Sequence, residues 1–317
     1  MKILITDAAT VHNRWDISLE VFGQLGKTTV YQNIDREELM MEAPYYDIIL
    51  CNKTIIDREV IDNAPNLKYI GLFATGYNNI DITAAKEKGI VVSNAGSYST
   101  NAVAQQVIGY ILMHYTKIPE YNDFVHSGNW IGHNVFSALC YTGDEVYGKT
   151  LGIIGYGSIG KAVKKAAEGL GMNVIVNTRT VHEDGETRFV DRDTLFKESD
   201  IITLHCPLND ESKDMMNAET FAKCKDGAFF INTARGGVVD EYALAEALNS
   251  GKLSGAAVDV LKTEPMSKDC PLLNAKNIII TPHTAWAPLT TRKRLIDIVA
   301  DNVSAFLKGE PKNNVAK

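Results

Sequence analysis

Residues 149–180, KTLGIIGYGSIGKAVKKAAEGLGMNVIVNTRT, restrict the fold more than any other stretch. An apolar run, Leu151 to Ile154, reads as a buried strand. The turn Gly155-Tyr156-Gly157-Ser158-Ile159-Gly160 follows, then a segment of helical composition, Lys161 to Leu170, then a second strand, Asn173 to Val176. Three glycines in six residues are a weak signal alone, and a plain glycine turn is the ordinary reading of them. Between a strand and a helix, in a unit of about 30 residues, they imply a dinucleotide-binding βαβ unit. Gly155 permits the turn, Gly157 lets the backbone approach a pyrophosphate, and Gly160 lets the helix pack on the strand. The helix start offers N–H groups and the positive end of its dipole to phosphate.

The end of the second strand bears on which nicotinamide cofactor is taken. An NAD site usually carries Asp or Glu about 20 residues after the glycines, where it binds the ribose 2′-OH. Thr178 stands there, followed by Arg179 and Thr180. No carboxylate repels a 2′-phosphate, Arg179 can pair with one and the two hydroxyls can donate to it. NADP competence is the expectation; an exposed arginine at a strand end, with NAD accepted, is the bland alternative.

At 317 residues the chain is long enough for two domains. Its hydrophobic content of 45% and charged content of 22% are those of a globular protein. A net charge of −7 argues against nucleic-acid or anionic-membrane binding. Cys51, Cys140, Cys206, Cys224 and Cys270 are scattered, odd in number and free of C-x-x-C spacing. They point to a reducing compartment and away from a metal site. The opening MKILITDAAT is not a signal peptide and no apolar stretch reaches membrane-spanning length, so a cytoplasmic location is expected.

Residues 1–100 alternate strand candidates (Ile3–Thr6, Thr28–Tyr31, Asp47–Cys51, Tyr69–Phe73, Ile90–Ser93) with helix candidates (Ile17–Leu25, Arg36–Met41, Arg58–Asn63, Ile82–Lys88). Such alternation implies a parallel sheet covered by helices. YDIILC at 46–51 echoes SDIITL at 199–204, and YIGLFATGYNNID at 69–81 echoes AFFINTARGGVVD at 228–240. Two related α/β units, or the same physics used twice, account equally for the echo. Residues 102–115 form an apolar helix with Thr100 or Asn101 as N-cap, and 288–308 a second, with Pro288 near its start and Gly309 after it. The second returns the chain to the first domain. The expectation is a cofactor domain, 101–285, inserted into a domain made of 1–100 and 286–317, with a hinge over a cleft. Residues 117–148 lack clear periodicity and carry Trp130, His133, Phe136 and Tyr141. A long irregular loop with aromatics reads as an interface, here a dimer contact.

The later strands, Asp200–His205, Ala228–Asn232, Ser254–Asp259 and Ile278–Thr281, place Cys206, Thr233, Arg235, Asp259 and His283 at the sheet edge where ligands bind. Arg235, Glu264 and His283 stand out. Hydride transfer to a 2-oxo acid needs a cation for the carboxylate, which Arg binds as a fork. It needs a proton donor for the carbonyl oxygen, which His suits near neutral pH. It needs an anion to orient that His. Against these stand bland readings: a structural His after Pro, a surface Arg, a turn-start Glu. His205 is a rival acid/base. His12, His114, His126, His133 and His182 are assigned no role. G-x-S-x-G, H-E-x-x-H and P-loop motifs do not occur.

LFATGYNNID (72–81), GKTLGIIGYGSIGKAV (148–163), INTARGGVVDEYALAEAL (231–248), AAVDVLKTEP (256–265) and TPHTAW (281–286) together resemble the D-isomer-specific 2-hydroxyacid dehydrogenase family along essentially the whole chain. The resemblance implies a Rossmann cofactor domain inserted into a flavodoxin-like substrate domain, two doubly wound parallel sheets, and a homodimer. It implies that Arg235, Glu264 and His283 are the catalytic set. Lys53, Ala74, Thr75 and Gly76 then bind substrate, the last two through backbone N–H groups. Ser158 and Ile159 meet the pyrophosphate, within the motif that also holds Tyr156. Thr178, Arg179 and Thr180 meet the adenosine end; Cys206, Thr233, Ala234 and Asp259 line the nicotinamide.

Two departures stand out. Thr178 replaces the Asp usual in NAD-preferring members, and Ala285-Trp286 replaces the two glycines that often follow the catalytic His. The A-T-G-Y-N-N-I-D and H-T-A-W forms are similar to the glycerate dehydrogenase, or hydroxypyruvate (glyoxylate) reductase, branch, and Trp286 would narrow the pocket to short side chains. Formate dehydrogenases of this fold pair the His with Gln, which Glu264 disfavours. A dehydrogenase for a bulkier 2-oxo acid and an NAD(H)-sensing, corepressor-like regulator remain as alternatives.

Overall fold

The computed structural model describes residues 1–14, 16–181 and 185–316, so His182 lies outside the described residues. The chain divides into two compact units, Met1–Ser99 with Trp286–Lys317, and Thr100–Ala285. Each is built on a fully parallel sheet.

The first sheet contains β1 (Lys2–Ile5), β2 (Lys27–Val30), β3 (Ile48–Cys51), β4 (Tyr69–Leu72) and β5 (Val91–Ser93), in the order β2-β1-β3-β4-β5. This is a doubly wound order that reverses between β1 and β3. Strands β3 and β4 are buried throughout, as strands covered on both faces must be. Helices α1 (Glu20–Gly23), α2 (Arg36–Glu42), α3 (Arg58–Asn63) and α4 (Ile82–Glu87) make the crossovers. The last three start alike. Asp35, Asp57 and Asp81 each accept the N–H three residues on, at 2.8, 3.1 and 2.8 Å, which satisfies an orphan donor of the first turn. One sheet face packs Leu39, Val60, Ile61 and Ala84. The other is covered by the helix Leu289–Leu307 through Leu295, Ile296, Val299 and Val303, with Phe306 against Tyr69 at 4.7 Å.

The second unit opens with α5 (Thr100–Thr116) and α6 (Ile118–His126). There follow β6 (Thr150–Ile154), α7 (Ser158–Gly169), β7 (Asn173–Asn177), β8 (Arg188–Phe189), α8 (Arg192–Glu198) and β9 (Ile201–Leu204). Then come α9 (Ala218–Lys223), β10 (Ala228–Asn232), α10 (Glu241–Asn249), β11 (Leu253–Val258) and β12 (Ile278–Ile280). The sheet order β12-β11-β10-β9-β6-β7-β8 reverses between β6 and β9, as a dinucleotide-binding sheet does. α5 buries Val107, Tyr110 and Ile111 on one face with Val163 and Ala167 of α7, and α8, α9 and α10 pack Leu195, Phe221 and Leu244 on the other. The echoing segments occupy equivalent places: β3 and β9 each flank the first strand of their sheet, and β4 and β10 come next.

Several local expectations need correction. Only Glu20–Gly23 is helical in the stretch expected as Ile17–Leu25; Ile17 and Leu19 are buried in the non-helical segment that leads into it. Thr100 and Asn101 do not cap α5 but lie in its first turn. Residues 117–148 are not irregular throughout, since Ile118–His126 is helical with a proline in its first turn. That helix buries none of its own residues.

Candidate active site

At the second unit's switch point, the loop leaving β6 enters α7 through the three glycines, each of which works differently. Gly155 has φ +97°, and a Cβ on it would lie 2.6 Å from Cys206 N. A Cβ on Gly160 would lie 2.3 Å from Gly155 O, so only glycine lets this helix reach the strand. A Cβ on Gly157 would meet nothing within 4 Å: that side of the loop is open. No side chain caps α7, so its first-turn N–H groups lack the usual partner. A Ser158–Ile159 backbone beside an open glycine is a fitting cradle for a pyrophosphate.

Further along the same edge, the buried Thr233 has its Oγ1 wholly enclosed and without a hydrogen-bond partner. An orphaned hydroxyl of this kind fits an amide-bearing ring such as nicotinamide. Cys206 is half-buried, and burial pushes its thiol pKa up, so it stays neutral. Tyr156 donates to or accepts from Thr187 Oγ1 at 3.0 Å and stands edge-on to Phe189. Thr178 is half-buried at the end of β7, and Arg179 and Thr180 are exposed. Arg179 Nη1 lies 3.9 Å from Glu211 Oε2 with both side chains mostly in solvent, an ion pair of small worth.

The catalytic candidates follow β10, β11 and β12. Asn232 shapes the first turn: its Oδ1 accepts from Ala234 N at 3.0 Å and its Nδ2 donates to Arg235 O at 3.0 Å. The exposed Arg235 guanidinium donates to its own neighbour's carbonyl, Ala234 O, at 2.7 Å, and no carboxylate pairs with it among the described residues. Next to it, a Cβ on Gly236 would lie 1.9 Å from Leu261 C and 2.4 Å from Lys262 N. The arginine turn therefore rests backbone to backbone on the segment that carries Glu264. That segment is fixed in turn by Leu261 N donating to Glu264 Oε1 at 2.9 Å and Lys262 N to Glu241 Oε1 at 2.7 Å.

His283 Nδ1 meets the other oxygen, Glu264 Oε2, at 2.7 Å, with both side chains partly exposed. The carboxylate thus faces Nδ1 and leaves Nε2 to the far side of the ring. His283 has φ +55°, a left-handed conformation that costs a non-glycine residue about 1–3 kcal/mol. The buried Asp259 offsets it. Its carboxylate accepts from Thr284 N at 2.8 Å, Ala285 N at 2.9 Å and Thr281 Oγ1, so that the whole turn hangs on one side chain. Tyr110 OH of α5 closes the chain of hydrogen bonds at Thr281 Oγ1. Asp259, expected to line the nicotinamide, therefore has both oxygens committed to the His283 turn.

The rival acid/base is unsuited to proton delivery. His205 Nε2 lies 3.1 Å from Thr203 Oγ1, and its Nδ1 is buried without a partner. Burial holds its pKa down at about 3, so it is neutral across the physiological range.

In the first unit, the loop after β4 holds Ala74, Thr75 and Gly76. Asn94 Nδ2 donates to Thr75 O at 2.7 Å, Thr75 Oγ1 donates to Gly96 O, and Ala95 N to Ala74 O at 2.8 Å. The N–H groups of Thr75 and Gly76 have no acceptor among the described residues. Lys53 is exposed on the loop after β3. Trp286 stands edge-on to Tyr98 with ring centroids 6.2 Å apart and packs against the first unit's core. Asn232, Gly236 and Asp259's clamp on the His283 turn were not read as positioning elements from the sequence. The G-G pair after Arg235 was the available signal for the close approach.

Residues 108–285 match the family model described as D-isomer specific 2-hydroxyacid dehydrogenase, NAD binding domain. A hydroxypyruvate reductase of Blautia hydrogenotrophica is 42% identical over 323 aligned positions, spanning 100% of both chains. The crystal structure of D-lactate dehydrogenase from Aquifex aeolicus, complexed with NAD and lactic acid, is similar with a TM-score of 0.86 at 29% identity, covering 99% of each chain. An acyclic imino acid reductase in complex with NADPH and D-Arg is similar with a TM-score of 0.87 at 28% identity, covering 99% of this chain and 100% of the other.

Proposed function

Given that this chain belongs to the D-isomer specific 2-hydroxyacid dehydrogenase family, whose members are nicotinamide-dependent oxidoreductases acting on CH–OH, we propose that it interconverts a small 2-oxo acid and its D-2-hydroxy acid. Hydroxypyruvate or glyoxylate is the favoured substrate. The observation that carries this reading is the Glu264–His283 pair at 2.7 Å on the segment packed against the Arg235 turn.

When bound, the nicotinamide cofactor supplies the hydride. Arg235 binds the substrate carboxylate as a two-pronged donor. On the first unit, taken by itself, the unaccepted N–H groups of Thr75 and Gly76 and the exposed Lys53 are the groups we assign to substrate carboxylate. His283 passes the proton at Nε2 to the carbonyl oxygen, and Glu264 holds the ring through Nδ1 so that Nε2 faces the substrate. In the reverse direction neutral His283 takes the proton from the hydroxyl. Trp286, braced by Tyr98, limits the substrate to a short side chain.

For the cofactor we propose NADP competence, with NAD also accepted. Support comes from Thr178 and from Arg179, whose weak pairing with Glu211 a 2′-phosphate displaces at little cost. We also propose a homodimer formed through residues 117–148, where Ile131, Phe136 and Leu139 are 87%, 92% and 88% exposed. The cytoplasm is the compartment we assign, since five scattered free thiols fit reducing conditions. No described helix is long and apolar enough to cross a membrane.

The test is turnover of a panel of 2-oxo acids, with hydroxypyruvate, glyoxylate, pyruvate and phenylpyruvate, by the wild type and by His283→Ala. Preferred reduction of the two short polar acids, lost in the variant, is the expected result. Preference for phenylpyruvate refutes the substrate assignment, and no turnover of any acid refutes the enzymatic reading in favour of a regulator.

A further inference from the structure

In a doubly wound sheet the ligand crevice opens where the strand order reverses. In the second unit that place lies beside the open Gly157. In the first unit it lies between the ends of β1 and β3, and there the chain supplies its own anion. Asp7, 1% exposed, follows β1. Its two carboxylate oxygens accept from Asn52 N at 2.9 and 3.0 Å, and Oδ2 also accepts from Lys53 N at 2.6 Å and Thr54 N at 2.9 Å. Three successive N–H groups converge on one carboxylate, in the manner of a backbone nest around a phosphate.

The opposite side of the same loop is held as well. Asn79 Nδ2 donates to Thr54 O at 2.8 Å and reaches Asn52 O at 3.4 Å. Asn52 Nδ2 donates to Thr10 Oγ1 at 3.0 Å, and that hydroxyl donates to Asp7 O at 2.7 Å. The loop is clamped by its N–H groups on one side and its carbonyls on the other, and of residues 52–54 only Lys53, at the middle, is exposed. A lysine that merely keeps a surface soluble needs no such clamp. One that must meet a ligand at a fixed place does, because its backbone anchor is then set before binding.

We infer that Asp7 is a positioning residue for substrate: it fills the first unit's crevice with a built-in anion and fixes the backbone of Lys53, the residue proposed to meet the 2-oxo acid carboxylate. This rests on the substrate role proposed for Lys53. An asparagine at this position loses one acceptor and turns an amide N–H toward a backbone N–H. For Asp7→Asn the expected result is a KM for hydroxypyruvate raised about tenfold, the loss of one charge-assisted hydrogen bond. Cofactor dissociation constant and kcat should stay near wild type, and amide exchange at residues 52–54 should accelerate. A merely structural role would lower the active fraction, and so the apparent kcat, with KM unmoved; that outcome overturns the inference. Should Asp7→Asn fail to fold, Asn79→Ala loosens the loop from its other side, and an unchanged KM in that variant overturns the inference equally. Lys53→Met separates the two layers. If it raises KM while Asp7→Asn does not, the positioning role is wrong and the proposed function stands. If neither variant moves KM, the role of Lys53 falls with it.

Discussion

Gly236→Ala tests how the Arg235 turn is set against the Glu264 segment. The added Cβ would lie 1.9 Å from Leu261 C, 2.1 Å from Leu261 O and 2.4 Å from Lys262 N. These are backbone atoms and cannot rotate away. Ordinary carbon contacts begin near 3.5 Å, so the two segments must part by about 1.5 Å. Overpacking of this kind costs about 1–3 kcal/mol of stability. Displacement of a catalytic group by about 1 Å costs about 100-fold in rate. Because Leu261 N is bonded to Glu264 Oε1, parting the segments shifts either Arg235 or the Glu264–His283 pair. The prediction is a kcat/KM lower by about 100-fold, with urea unfolding displaced by about 1–3 kcal/mol and cofactor binding retained. Gly237→Ala is the control next door. There the Cβ would meet Leu208 Cδ2 at 2.9 Å and Cδ1 at 3.2 Å, the movable end of a side chain, and activity should stay within about threefold of wild type. A Gly236→Ala enzyme as active as the control would refute the close-approach reasoning.

Other substitutions probe the same geometry. Arg235→Ala and Glu264→Gln should each lower kcat/KM by at least about 100-fold while circular dichroism and cofactor binding persist; near-full activity in either would remove its assigned role. Gly157→Ala should leave the unfolding midpoint unchanged and weaken cofactor binding, whereas Gly160→Ala, whose Cβ meets Gly155 O at 2.3 Å, should destabilise the second unit; equal stability loss in both would contradict the open-loop reading. Thr178→Asp should shift the ratio of kcat/KM for NADPH over NADH toward NADH, and an unmoved ratio would contradict the proposed phosphate site. His114, stacked on Phe229 at 4.0 Å, has its pKa pushed down to about 4 from 6.5, by burial first and then by Lys117. The unfolded chain then takes up a proton near pH 6.5 that the folded chain refuses until about pH 4, so stability is lost as pH falls through that window and not above it. His114→Gln should reduce by on the order of 1–3 kcal/mol the stability lost between about pH 7 and 4.5, measured by urea unfolding; equal losses would contradict it.

Much of the fold was legible because local signals agreed. Continuous apolar runs marked the central strands β3, β4, β6, β9 and β10, and a strand–glycine–helix context marked the cofactor loop. Asp35, Asp57 and Asp81 at three helix starts reinforce the same pattern. Arg235, Glu264 and His283 were legible as residue types at a ligand edge, and the Glu264–His283 contact joins two of them. What was hidden depends on contacts between segments far apart in sequence. Asp7 lies 45 residues from Asn52 and Asp259 lies 25 from Thr284, and no periodicity links such pairs. His205, a rival to His283 by its place at a strand end, is set apart by its burial. Helix α6 follows Lys117, which makes no side-chain cap hydrogen bond, so no capping residue marked its start.

The central claim is most directly tested by following loss of reduced nicotinamide absorbance with hydroxypyruvate, for wild type beside His283→Ala at equal fold and cofactor occupancy. The account predicts rapid oxidation by the wild type and a loss of at least about 100-fold in the variant. Comparable rates in the two would mean that the proton comes from elsewhere and that the imidazole of residue 283 is not the acid.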